Sequence, residues 1–229
     1  MTEQLDQDES AGLRQAFDTH DASTRLQAAL AAGTRPSLEF IPVLVAQCGV
    51  EPDFYVRDML TWALVRHDHA AVVERLLPEL NSQAPQSRSQ ALHTLSKIAD
   101  PGTWPAITTE LLLDAHDDVA RTAWRAAVRL VPEQDKTALA ETLATQFARG
   151  DRAVRLSLSR AFADLGPAAL SAVEHAMTDD DDEVRTHAIA TERIMSDPDE
   201  GFESALFEAR KIAALHAAPE VAAEDSHDH

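Results

Sequence analysis

A short pattern recurs through this chain at an almost constant interval. Residues 179–190 read DDDDEVRTHAIA, 53–64 read DFYVRDMLTWAL and 151–162 read DRAVRLSLSRAF. Weaker copies are QSRSQALHTL at 86–95, DASTRLQAALA at 21–31, and DDVARTAWRAAV at 117–128 with its arginine one place late. The slot that arginine takes in the clear copies falls at positions 25, 57, 88, 120, 155 and 185, giving spacings of 32, 31, 32, 35 and 30. A period of this length with helical patterning means a solenoid, in which each repeat buries its apolar side only against its neighbours.

Each copy reads as an α-hairpin. The first helix is apolar at helical spacing: Leu38, Ile41 and Val45 in one copy, Ile107, Leu111 and Leu112 in another, Leu139, Leu143 and Phe147 in a third. A turn with Asp, Gly or Pro follows, and the second helix starts there. Aspartates at a helix start accept hydrogen bonds from free backbone N–H groups and oppose the positive end of the helix dipole. Asp53, Asp117, Asp151 and the run Asp179 to Asp182 are expected in that place. A cation loop would need oxygen ligands at alternate positions with a glycine at the bend, a pattern that TDDDDEVRT does not follow.

Composition narrows the class. Aromatics are 5% of the 229 residues, glycines number 7, and alanine is abundant, which favours helix over sheet. The N-terminal MTEQLDQDES is not a signal peptide, and the apolar run FIPVLVAQCGV is too short to span a bilayer. Cys48, the single cysteine, sits in that run and is expected as a buried thiol. A soluble cytoplasmic protein follows, and the excess of arginine (17) over lysine (3) with much alanine suggests a GC-rich bacterial genome. The net charge of −19 argues against free binding to nucleic acid. It is uneven. Residues 1–21 hold 6 acids and 1 base, 22–175 hold 18 and 15, and 176–229 hold 15 and 4.

The pattern D-x-x-x-V-R-x-x-A-x-x-A-L resembles the HEAT repeat family, including its short prokaryotic forms, over about residues 5 to 197. The resemblance implies an all-α, right-handed α-solenoid of about six antiparallel helix pairs. It also implies a ladder in which Arg57, Arg155 and Arg185 pair with turn aspartates. Residues 1–197 are then the solenoid. Within 198–217 a helix from about Phe202 to His216, with Phe202, Leu206 and Ala209 on one face, caps the last repeat, and 218–229 is a disordered acidic tail.

In HEAT-like solenoids the second helices line the concave face. With the arginine slot as r, the core takes r−1, r+3, r+6, r+7 and r+10, and the open side holds r+1, r+5 and r+8. That side offers Leu26, Leu30 and Gly33 in the first copy, then Asp58, Trp62, His93, Arg121, Arg125, Arg160 and Arg193 along the others. The expected site is a groove, apolar and aromatic at one end and arginine-lined at the other. The alternative is Trp62 packed half-buried against a neighbouring repeat, with the arginines paired to local acids. Trp124 could join the groove or the core, and Trp104 reads as a packing residue. The two HDH stretches, His67 to His69 and His227 to His229, read as a loop and a tail rather than metal sites.

No nucleophile elbow, phosphate-binding glycine loop or Cys/His arrangement is present, and no cofactor is implied. The leading expectation is a non-enzymatic scaffold or regulator that binds a protein partner, in particular an acidic or phosphorylated segment. Other HEAT-like proteins supply alternatives: alkylpurine DNA glycosylases, which hold DNA in the groove, and bilin lyases. No motif of either aligns here. A further alternative is an acidic mimic of DNA that occupies a DNA-binding protein.

Overall fold

The computed structural model describes residues 2–197 and 202–216; the expected tail at 218–229 lies outside them. Within these residues the fold is all-α, as the repeat requires. The chain forms two units, one ending at Leu143 and the other beginning at Ala144.

The first unit is a stack of helical hairpins. Its outer helices are α1 (Thr2–Phe17), α3 (Ile41–Cys48), α5 (His69–Leu76) and α7 (Thr109–Leu112). The paired second helices are α2 (Ala22–Thr34), α4 (Phe54–Val65), α6 (Pro85–Ile98) and α8 (Asp117–Leu130), and α9 (Lys136–Ala144) runs to the unit's end. The second helices stack α2 on α4, α4 on α6 and α6 on α8, while α1 packs on α3 and α3 on α5. One expected element is much reduced. Residues 101–112 form a 3-10 stretch and a single α-turn instead of a full helix, because Pro101 and Pro105 remove backbone donors and Pro105 disfavours the helical conformation at Trp104.

In the second unit, α10 (Arg152–Leu165) packs on α12 (Asp182–Ser196), α11 (Leu170–Ala176) pairs with α12, and α13 (Phe202–His216) packs along α12. Phe202, Ala205 and Ala209 are buried with Ile189, Ala190 and Ile194, and Leu206 joins them half-buried.

The helix starts use the aspartates as caps. Asp21, Asp53, Asp151 and Asp181 each accept backbone N–H bonds from the first turn of the helix that follows. Asp117 does not; it is the first residue of α8, and His116 stands at the cap, its own amide held by Asp114. In the aspartate run, Asp179 accepts from the Asp181 amide, Asp181 caps, and Asp182 pairs with Arg185.

The slot arginines latch the turns. Each reaches back five or six residues to turn carbonyls: Arg25 to Thr19 and His20, Arg57 to Glu51 and Pro52, Arg88 to Ser82, Arg155 to Gly150, Arg185 to Asp179. Three also cross to the next turn, Arg25 to Glu51 (2.7 Å), Arg88 to Asp114 (2.8 Å) and Arg155 to Glu183 (2.6 Å). The expected Arg57–aspartate pair is replaced by the carbonyl bonds, and Gln86 bridges that step by donating to the carbonyls of Cys48 and Glu51. Slot 120 is alanine; there Trp124 donates its Nε1–H to the Leu112 carbonyl.

Core positions follow the register in the middle copies. Val56, Leu60, Ala63 and Leu64 are fully buried, as are Leu158 and Phe162. One position absent from the expected set, r+4, is buried in every copy: Ala29, Thr61, Leu92, Trp124, Ser159 and Ile189. Trp124 therefore belongs to the core. Cys48 is buried, and burial pushes its thiol up to about 12.

Arg25 and Glu51 are both buried, and Glu51 also accepts from the Asp53 amide and Gln47. Burial alone would raise the Glu51 carboxyl, but these donors outweigh it and hold the group below its usual range. Glu51→Leu strands a buried guanidinium and should lower unfolding free energy by roughly 3–5 kcal/mol in a urea titration. The Arg25→Met/Glu51→Leu pair should recover part of that loss.

In the second unit His187 is fully buried. Its Nδ1 accepts from the Ala148 amide (3.0 Å), so Nε2 carries the proton and donates to the Arg155 carbonyl (3.0 Å). Burial lowers its pKa from 6.5 to about 4. The unfolded chain therefore binds a proton that the folded chain refuses between these values, and stability falls as pH drops from 6.5 to 4. The loss should approach roughly 3 kcal/mol. Urea titrations at pH 7 and 4.5 should show a steeper drop for wild type than for His187→Gln, in which this titration is absent.

Candidate functional site

The second-helix face of the first unit carries two adjoining depressions. The first, of about 670 Å³, is lined by Asp58, Thr61, Trp62, Val65 and Arg66 at the α4 side and by Lys97 of α6. The second, of about 330 Å³, lies between α6 and α8 and is lined by His93, Ser96, Lys97, Thr122, Arg125 and Arg129. Lys97 belongs to both, so they form a continuous surface.

Trp62 is seated by a glycine. Its ring lies on Gly33 of α2, where an added Cβ would come 2.4 Å from Cζ3 of the ring and 2.8 Å from the Ala63 Cα. The Arg66 guanidinium stands 4.9 Å from the ring centroid, and its Nε donates to the Gly33 carbonyl at 2.8 Å. Cation–π attraction and the close backbone thus fix the indole while 37% of it remains exposed. Below it, Thr61 Oγ1 is buried without a hydrogen-bond partner.

The second depression is strongly positive. Arg125 donates to the Thr122 hydroxyl and the Arg121 carbonyl, and no carboxylate among the described residues comes within ion-pair distance of Arg66, Lys97, Arg125 or Arg129. His93 is half-buried, and burial lowers its pKa, with the charges of Lys97 and Arg125 adding to the effect. Partial burial and the like charge of Arg121 also lower the pKa of Arg125.

Of the residues expected in the groove, Asp58, Trp62, His93 and Arg125 are brought together on this surface. Arg121 stands beside it on α8, 3.8 Å from Asp118, with Nε buried and unpartnered. Arg160 and Arg193 belong to the second unit, Arg160 exposed on α10 and Arg193 half-buried and engaged on α12. There, Leu156, Ala163 and Ala190, read from spacing as open, pack into the cluster that α13 completes. Trp104 is a packing residue whose Nε1–H donates to Asp135 at 2.9 Å. His67 is buried, its Nδ1 against the Ala63 carbonyl.

Spacing reasoning missed Arg66, Lys97 and Arg129. All three stand at r+9, in three consecutive copies, and they form a cationic column beside the r+5 column of Trp62, His93 and Arg125. The signal was present in the repeat register.

Residues 41–129, the stretch that builds both depressions, match the family model for HEAT repeats. This part of the chain is similar to a HEAT-repeat array. No curated protein sequence matches the chain. Among solved structures, the crystal structure of an engineered protein aligns with 90% of this chain and 97% of its own, at 20% identity and a TM-score of 0.44. Among the described residues no helix is long and apolar enough to cross a membrane.

Gly33→Ala should displace the Trp62 ring and cost roughly 1–3 kcal/mol through overpacking. A change in tryptophan emission and acrylamide quenching should accompany it. The same substitution in a Trp62→Phe background should leave the emission of Trp104 and Trp124 unchanged.

Proposed function

We propose that the chain is a non-enzymatic interaction module that holds a segment of a protein partner on the second-helix face. HEAT repeats generally serve as protein-interaction scaffolds, and a solenoid presents a large preformed surface suited to a helix or an extended segment. The observation that carries the reading is the double column. Trp62, His93 and Arg125 stand beside Arg66, Lys97 and Arg129 on one surface, in a chain of net charge −19. Tryptophan and arginine are the side chains that most often dominate interface energy. Four cations without carboxylate partners among the described residues support an acidic or phosphorylated stretch in the partner, with an apolar residue against Trp62. The acidic remainder of the chain keeps it soluble and opposes nucleic acid.

The partner-binding residues in this reading are Asp58, Trp62, His93, Arg121 and Arg125, joined by Arg66, Lys97 and Arg129. Arg160 and Arg193 enter as contacts made separately by the second unit. The reading includes about six repeats over 1–197, a capping helix within 198–217 and a cytoplasmic location.

Affinity capture from the native lysate tests it, with wild type beside a Trp62→Ala/Arg125→Glu variant and an Arg75→Glu control on α5. A partner retained by wild type and control but lost by the groove variant is the expected result. A partner retained equally by the groove variant would move the site elsewhere.

A further inference from the structure

Resting on that reading, we infer that the depression between α6 and α8 is a subsite for a phosphate monoester on a side chain of the protein partner, held by Lys97, Arg125 and Arg129. Three cations converge on about 330 Å³, and no carboxylate of the described residues neutralises them. They come from two helices, Lys97 from α6 and the two arginines from α8, so their donors approach from two sides. A carboxylate brings one charge and two oxygens in a plane. A phosphate monoester brings nearly two charges and three terminal oxygens spread in a tetrahedron, which matches donors arriving from separate directions.

The two hydroxyls lining the depression are already engaged. The Ser96 hydroxyl donates to the His93 carbonyl at 2.7 Å, and the Thr122 hydroxyl donates to the Asp118 carbonyl at 2.8 Å. Recognition therefore falls to the cations. Thr122 instead accepts from Arg125 at 3.1 Å, which orients that guanidinium before any ligand arrives. His93 reports on the site. Burial, Lys97 and Arg125 all lower its pKa, with Asp58 alone opposing them, so a bound dianion would raise it.

The test is an NMR pH titration of the histidine ring protons in the full chain. Its additions are O-phosphoserine, inorganic phosphate, glutamate and chloride at one ionic strength, with the His93 signal assigned by His93→Gln. The proposal expects the His93 pKa to rise with O-phosphoserine and, more weakly, with inorganic phosphate. Half-saturation by O-phosphoserine should come at a concentration about tenfold below that for glutamate, one additional charge-assisted contact. Arg125→Gln/Arg129→Gln, at two surface positions, should abolish the rise while the signal of the buried His67, in the same unit, stays in place as a check on the fold. Equal responses to glutamate and O-phosphoserine, a response matched by chloride, or a response unchanged in the double variant would each overturn it. Loss of this subsite with Trp62-dependent partner capture intact would leave the interaction module standing and remove only the phosphate.

Discussion

The slot arginine is the contact on which the repeat depends. A hairpin turn leaves carbonyls that neither helix can satisfy, and they need a donor from elsewhere. A guanidinium placed four residues into the second helix's start reaches back to those carbonyls with several donors at once. Arg25 shows the arrangement in full: two turn carbonyls of its own hairpin on Nη1, and the Glu51 carboxylate of the next turn on Nε and Nη2. One side chain therefore fixes both the turn and its distance to the following turn. Where the slot lacks arginine, at Ala120, the load passes to Trp124 and to Arg88 reaching forward to Asp114.

Fixing the register in this way dictates which faces remain open. The r+4 position is buried in every copy, whatever side chain it carries, and even Thr61 is buried there with its hydroxyl unpaired. The r+5 and r+9 positions lie 40° apart on a helix, both at 100° or more from the buried r+4. In the second, third and fourth copies they hold an indole, an imidazole and four cations, side chains too large or too charged to be filled over by more of the same chain. Asp58 apart, the acids near this face lie at the helix starts and turns, where capping gives them a structural reason to be. The separation of sign on the first unit thus follows from two different local demands, not from one patch of unusual composition.

Much of this was legible from spacing. The period located the helices, the turns and the face on which Asp58, Trp62, His93 and Arg125 meet. The r+9 cations were not, because outward positions were assigned by angle alone. Helical side chains lean toward the N-terminus, so a long side chain at r+9 covers surface that the angle gives to r+8. Asp117 stands one residue inside the cap position because His116 takes that place, its amide held by Asp114. The first helix of the fourth copy was overestimated because Ile107, Leu111 and Leu112 keep helical spacing although the prolines before them break the backbone.

The second unit shows what the same register does with different side chains. Its r+5 positions are Arg160 and Ala190, and its r+9 positions are Asp164 and Ile194. Ala190 and Ile194 are small and apolar enough for α13 to lie directly on α12, and both are buried in that contact. Leu156 and Ala163 of α10 pack on the same cluster, so the face that is open in the first unit is here part of a core. A tryptophan or a cation at position 190 would hold a covering helix away, as Trp62 and its neighbours leave their own face to solvent. The extent of the binding surface is therefore decided by side-chain size and charge at two positions per repeat, with the backbone repeat itself indifferent to the choice.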